Sequence, residues 1–250
     1  SAVVLAVMLT GAKRSGNPFL AEWGTPFGTP PFDKIQLEHY APAFEHAMQR
    51  QKKEIDAIAN STATPTFANT VQALERSGAL LKRVSNVFFA MRSSMTTDDL
   101  EAIAKQVAPE LSRHSDEIRL NEPLFERIRA VYRQRDQLDL NPEQRKLLEE
   151  QYKEFVRGGA LLAAGKKERL KEINSELSLL SLQFGENVLK EENRFELVVS
   201  DQSDLAGLPA GVIAAAAEAA TERGHEGKWV FTLHKPSMIP FLQYSDRRDL

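Results

Sequence analysis

Apolar positions recur at alternating spacings of three and four residues through most of this chain, which is the pattern of amphipathic helices. The first such segment repeats at Phe44, Met48, Gln51, Ile55 and Ile58, with Pro42 suited to its first turn. Thr66 or Asn69 can cap a second helix, whose inner face runs from Val71 to Met91. The opening third of the sequence therefore predicts packed helices.

The helical pattern continues to about residue 193. Thr96 with Asp99 suits a capping box for a helix that we expect to kink near Pro109. Asn121 and Asn141 open two further helices. The longest helix is predicted over residues 166–193, with an apolar stripe at Leu170, Ile173, Leu177, Leu180, Phe184 and Val188. Its heptad-like spacing suits a coiled coil, but we expect a long helix packed inside a bundle.

Strand patterns follow only after this helix. Residues 195–200 alternate and residues 229–233 are continuously apolar, with a helix predicted over 210–223 between them. Pro236 and Pro240 indicate a loop, and Ser245 with Asp246 indicates a new helix start. The fold class is therefore mainly α with a small β element near residues 195–233. Since chains rarely end at a helix start, we expect the front part of a longer protein.

Four segments are predicted. Residues 1–12 form a short apolar run, residues 13–36 an extended arm rich in Pro, Gly and aromatic residues, 37–193 a helical domain, and 194–250 a strand–helix–strand element. We expect the arm's aromatic side chains to dock on the body; they are Phe19, Trp23, Phe27 and Phe32.

The apolar run bears on location. Residues 1–12 are too short to span a bilayer and resemble the remnant of a secretory or lipoprotein signal, with Ala12 where a lipidated Cys would stand. This favours a bacterial cell envelope or periplasm. The alternative is a frayed N-terminal helix of a cytoplasmic protein.

Charge and composition exclude several function classes. The formal net charge is -3, and basic and acidic residues are interspersed, so no basic stripe indicates nucleic-acid binding. The absence of Cys excludes disulfides, thiolate catalysis and Cys-ligated metal.

The histidines do not match a zinc-protease helix, which needs H-E-x-x-H. His225-Glu226 begins that motif, but Trp229 occupies its fifth position. His39 and His46 lie two helical turns, about 10 Å, apart. His114 lies on an apolar stripe and is predicted to be a hydrogen-bonded core histidine.

Nucleophilic and phosphate-binding motifs are missing as well. Ser237 and Ser245 have no G-x-S-x-G context, and the glycines do not match a phosphate loop. We predict no catalytic residue and no metal ligand in this chain, and its substrate-binding residues remain unassigned.

Six segments together carry a resemblance to a known family. They include Asn17-Pro-Phe, residues 31–45, residues 66–78, residues 114–121, residues 177–189 and the closing stretch 232–245. In this order they resemble the N-terminal half of thimet-oligopeptidase-type zinc metallopeptidases, specifically the bacterial peptidyl-dipeptidase branch. The resemblance covers about residues 17–250.

The resemblance implies a multi-helix N-terminal lobe of a two-lobed, channel-containing enzyme that releases C-terminal dipeptides from short unstructured peptides. It implies zinc in the full-length parent, bound by a C-terminal catalytic half, with this segment as channel wall that restricts substrate size. Because the family's zinc motif has no counterpart here, we expect the segment alone to be inactive and to hold no zinc. The alternatives are an oligopeptidase A-like endopeptidase and a non-catalytic helical module that binds peptides or a partner.

Overall fold

A computed structural model describes residues 16–250. The expectation of a mainly helical chain with a small β element is confirmed. The elements are α1 (Leu37–Ala59), α2 (Ala73–Arg76), α3 (Ala79–Ser94), α4 (Asp98–Arg119), α5 (Glu122–Arg133), α6 (Pro142–Arg157), α7 (Ala164–Arg194), β1 (Leu197–Val199), α8 (Ala210–Glu222), β2 (Trp229–Phe231) and α9 (Lys235–Tyr244). The segment 1–12 that resembles a signal lies outside the described residues.

Contacts among the described residues divide them into two units, 16–180 and 181–250, with the boundary inside α7. The domain limits expected from the sequence stay a prediction. None of the helices described over residues 16–250 is both long and apolar enough to cross a membrane.

Aromatic side chains form the centre of the first unit where α1 and α3 pack. Phe44 and Phe88 are fully buried and meet edge to face, with ring centroids 5.4 Å apart. Tyr40 lies against the same Phe88 ring at 5.1 Å. Such tilted pairs place the positive ring edge over the negative ring face, which adds to the gain from burial.

Side-chain caps fix the starts of several helices. Asn121 accepts a hydrogen bond from the Leu124 amide and Asn141 from the Gln144 amide, so both predicted starts are confirmed. The predicted box at Thr96 is wrong by one residue, since Thr97 is the cap and accepts from the Leu100 amide. The Thr96 hydroxyl instead donates to the Arg92 carbonyl at the end of α3.

The predicted second helix is divided. Thr66 caps a π-helical turn, Phe67–Gln72, which leads into α2. Gly78 then takes a φ of 71°, a left-handed conformation that glycine adopts without strain, and α3 begins after it. The Gly78 amide donates to the Glu54 carboxylate on α1 at 2.8 Å, so the break is tied to the neighbouring helix.

Two of the arm's four aromatic side chains, Phe19 and Trp23, contact the rest of the first unit. Phe19 is fully buried and packs on Tyr40 with centroids 5.3 Å apart. The Arg83 guanidinium donates to the Phe19 carbonyl at 2.6 Å and lies 4.9 Å from the Trp23 ring centroid. Phe27 and Phe32 are exposed, so the predicted docking is wrong for these two.

The helix α7 departs most from expectation. It is as long as predicted, yet none of its residues is buried, so the expected packing inside a bundle is wrong for the described residues. Most of its apolar positions are exposed, including Leu177, Leu180 and Phe184.

The second unit is built on a small antiparallel sheet. β1 pairs with β2 in the register Leu197↔Phe231, Val198↔Val230 and Val199↔Trp229. Val199, Phe231 and Phe241 share its core with residues of α8. The loop predicted around Pro236 and Pro240 is wrong, because both lie in α9.

The proline positions explain how α9 forms. Pro236 occupies the first turn of α9, where no intrahelical partner for an amide is needed. Pro240 lies inside the helix, and the helix ends at Tyr244. Ser245, predicted to start a new helix, instead forms the C-terminal cap of α9.

Candidate functional site

A buried polar cluster lies where α1 and α4 pack in the first unit. His114 on α4 is buried, and its Nε2 lies 2.8 Å from the Gln51 side-chain oxygen on α1. The prediction of a hydrogen-bonded core histidine is therefore confirmed. A neutral ring that carries its proton on Nε2 donates to that amide oxygen.

Burial lowers the pKa of His114 from its ordinary value of 6.5. The nearby Glu117 carboxylate opposes the shift, whereas the Lys52 ammonium adds to it. Burial is the largest of these three causes, because removal from water disfavours the charged imidazolium. Burial therefore favours the neutral ring, which serves as a structural hydrogen-bond donor to Gln51.

A second buried group, Asp116, was missed by the sequence reasoning. It is buried on α4, and its Oδ1 accepts a hydrogen bond of 2.7 Å from the Asn174 side chain on α7. Its Oδ2 is also buried and has no hydrogen-bond partner among residues 16–250. No sequence motif distinguishes this aspartate from the other acidic residues of α4, because only the packing of α7 shows its burial.

An open cleft of about 250 Å³ borders the cluster. Charges of both signs line it, with Lys52 and Lys171 beside Asp56 and Glu117. The Lys52 ammonium lies 3.3 Å from the Glu117 carboxylate, and both side chains are about half exposed. The lining thus combines charged side chains of both signs and contains no Ser, Thr or Cys.

The other histidines have separate local roles. The His39 Nδ1 accepts from the Gln36 amide at the start of α1, and His46 is partly exposed on the same helix. His225 lies in a turn and contacts Glu196 at 2.9 Å, and His234 contacts Asn193 at 3.2 Å.

A resident zinc ion does not fit the described residues. No group of three or more His, Asp or Glu side chains within residues 16–250 is arranged to hold a metal ion. The prediction that this segment carries no catalytic or metal residue stays a prediction.

The His114 environment gives a pH-dependent stability. Because the folded pKa lies below the unfolded value of 6.5, the unfolded chain binds more protons between these two values. The stabilisation is complete above pH 6.5 and is lost as the pH falls from there to the lowered folded pKa. Urea unfolding between pH 8 and 4 should show this loss.

Replacing His114 with Gln removes the titrating ring and should flatten the acid-side decline. The His46→Gln variant is the matched control, since it removes a partly exposed histidine from α1. Equal slopes for the unmodified chain and the His114→Gln variant would contradict the assignment.

Comparisons with known proteins extend over nearly the whole chain. No family model matches it. It is 42% identical over 226 residues to a dipeptidyl carboxypeptidase of Escherichia coli, covering 90% of this chain and 33% of that protein. A Salmonella typhimurium dipeptidyl carboxypeptidase is 41% identical over 228 residues, with 91% of this chain and 34% of the relative covered.

A more distant similarity is to oligopeptidase A of Escherichia coli, at 30% identity over 234 residues, which cover 94% of this chain and 34% of the relative. The chain spans about a third of the length of these curated relatives. The matched part of each relative is therefore nearer a third of its length than the half expected from the resemblance.

Proposed function

Because the chain belongs to the thimet-oligopeptidase-type family, in its peptidyl-dipeptidase branch, we propose that it is part of a longer peptidase that releases dipeptides from the C-termini of short unstructured peptides. The carrying observation is the 42% identity to a dipeptidyl carboxypeptidase, against 30% to an oligopeptidase A over a similar span. A difference of this size favours the first activity over general endopeptidase cleavage.

Within that enzyme, this chain contributes helical wall and no bond-making group. Its first unit is held by a dense aromatic core between α1 and α3, with Phe44 and Phe88 fully buried. A packed core deforms little, so a wall built on it can exclude folded substrates sterically. Its contribution to rate comes from orienting extended peptides near groups supplied elsewhere.

The same proposal includes zinc as the metal of the full-length parent enzyme. The described residues offer no ligand set for it, so the metal of the parent enzyme would be bound by the part of the polypeptide outside this chain. An envelope or periplasmic location is likewise proposed only from the apolar residues 1–12.

The test uses the full-length parent protein with an N-acylated tetrapeptide and its C-terminal amide. A peptidyl-dipeptidase recognises the free carboxylate, so mass spectrometry should detect the C-terminal dipeptide from the acid. The amide should react slower by on the order of a hundredfold or more, because a site that pairs with the carboxylate is left unpaired.

The two alternatives give different results. Equal cleavage of acid and amide, or cuts at interior bonds of longer peptides, would indicate oligopeptidase A-like endopeptidase activity. Peptide binding without hydrolysis, at any zinc content, would indicate a non-catalytic helical module and contradict the proposal.

A further inference from the structure

The apolar face of α7 is exposed, whereas other positions of the same helix are partly covered. Five apolar residues share one helical face at spacings of four and three and form what we term the α7 stripe: Ile173, Leu177, Leu180, Phe184 and Val188. All five are exposed, from 37% at Ile173 to 71% at Phe184. The partly covered positions of α7 include Asn174, Ser175, Ser178 and Leu182.

Helical geometry places most of the second set on the side opposite the stripe. At 3.6 residues per turn, successive residues are about 100° apart, so Ser175, Ser178 and Leu182 project roughly opposite the α7 stripe. Between the two sides, at the edge of the stripe, Asn174 donates to the buried Asp116 carboxylate on α4. The partly covered positions of α7 are thus mostly polar, whereas the apolar stripe is exposed.

Such a face is costly in water. An amphipathic helix normally directs its apolar stripe toward a core, and contiguous exposed apolar surface marks an interaction site. Glu172, Gln183 and Lys190 lie along one side of the stripe with exposed polar side chains, and Asn174 borders its other side. The arrangement is an apolar strip with a polar rim, as at a contact between packed parts of a protein.

A second copy of this chain is a poor occupant. A two-stranded coiled coil needs the heptad to be sustained over three to four repeats. Here the heptad of Leu170, Ile173, Leu177, Leu180 and Phe184 would continue with Asn187 and Glu191, which are polar. The apolar heptad positions therefore extend over two heptads and no further.

The length of the relatives points to a different occupant. Their aligned part is about a third of each protein, so about two thirds of a parent of similar length lies outside this structure. We propose that this remaining portion of the same polypeptide covers the α7 stripe with an apolar surface of its own. The inference rests on the proposed function, which makes this chain one part of a longer peptidase.

Thiol accessibility tests the contact, because this chain contains no Cys. In the full-length parent, with any native cysteine elsewhere replaced by Ser, single cysteines are placed at Leu177→Cys and Phe184→Cys. The control variants are Gln183→Cys and Lys190→Cys, at exposed polar positions of the same helix. Each labelling rate under native conditions is divided by the rate in urea.

The stripe thiols should react at least about tenfold slower than the controls after this normalisation, since labelling then requires local opening. Equal normalised rates would overturn the proposal. Protection that grows with protein concentration, with a doubled mass by light scattering, would also overturn it and assign the stripe to a second copy.

Hydrogen exchange of the unmodified parent gives a second measurement that does not depend on the variants folding. Amides of α7 should exchange slowly if the stripe is covered and rapidly if it is open, and rapid exchange counts against the proposal. The tetrapeptide assay is run on the same preparation. Dipeptide release with unprotected thiols refutes only the α7 contact, whereas protected thiols without hydrolysis refute only the proposed function.

Discussion

Replacing Phe88 with Ala is expected to lower the free energy of unfolding of the first unit by about 3–5 kcal/mol. The ring is fully buried and contacts Tyr40, Phe44 and Phe89 at centroid distances of 5.1, 5.4 and 5.1 Å. The loss combines the transfer of an aromatic ring to water with a cavity that three rigid neighbours cannot fill. Urea unfolding followed by tryptophan fluorescence measures it.

The chain itself contains a tryptophan that reports on unfolding of the first unit and a neighbouring phenylalanine that serves as a control. Trp23 lies in the first unit and Trp229 in the second, so a Trp229→Phe background leaves Trp23 as the reporter. Phe89, the next residue on α3, is 39% exposed. Phe89→Ala should cost about 1 kcal/mol, because less of its area leaves water on folding. Equal losses for Phe88 and Phe89 would contradict the proposed core.

Replacing Arg127 with Ala should cost about 3 kcal/mol. This buried arginine donates from one terminal nitrogen to the Ser61 and Ala63 carbonyls, at 2.8 and 2.9 Å. The other terminal nitrogen donates to the Asn69 side chain at 3.3 Å. Truncation removes these three hydrogen bonds together with the packing of a buried side chain, and hydrogen bonds made by a charged group contribute more than neutral ones.

Two further variants separate this network from a general effect of charge. Arg133, exposed on the same α5, should tolerate Ala with a change within about 0.5 kcal/mol. Arg127→Lys keeps the charge but lacks the planar fork, so it should recover only part of the loss. Full recovery by Lys in the same urea titration would show that charge, and not the fork, carries the stabilisation.

Local signals in the sequence predicted the starts of α5 and α6 correctly, but Pro42, expected in the first turn of its helix, lies inside α1, which begins at Leu37. Asn121 and Asn141 each use a side-chain oxygen to satisfy an amide three residues on, and this depends only on neighbouring residues. The error at Thr96 arises because two adjacent threonines offer the same chemistry, and the end of α3 uses one of them. Local patterns also missed the division at Gly78, whose amide bonds to Glu54 on another helix.

The surroundings of α7 and the conformation of residues 235–244 depend on distant parts of the chain. The apolar periodicity of α7 correctly predicted a long helix, but it does not specify what covers its stripe. Pro236 and Pro240 were interpreted as loop formers, although Phe241 in the same segment packs on Phe231 with centroids 4.5 Å apart. That tertiary contact outweighs the local preference of proline.

The polar cluster shows the same limit. His114 was predicted from its position on an apolar stripe, because periodicity alone places it inward. Asp116 lies two residues further on, and its carboxylate accepts a hydrogen bond from Asn174 of α7, which no local pattern connects with it. Pairs of this kind are visible only once the helices are assembled.

The register of the small sheet has a consequence for the order of folding. Since β1 and β2 are separated by residues 200–228, which include α8, they cannot zip together from a tight turn. The local helix should form within about a microsecond, whereas strand pairing must wait for closure of the long intervening segment. Pairing of Leu197 with Phe231 is therefore expected among the last events as the second unit folds, and substitutions there should accelerate unfolding far more than they retard refolding.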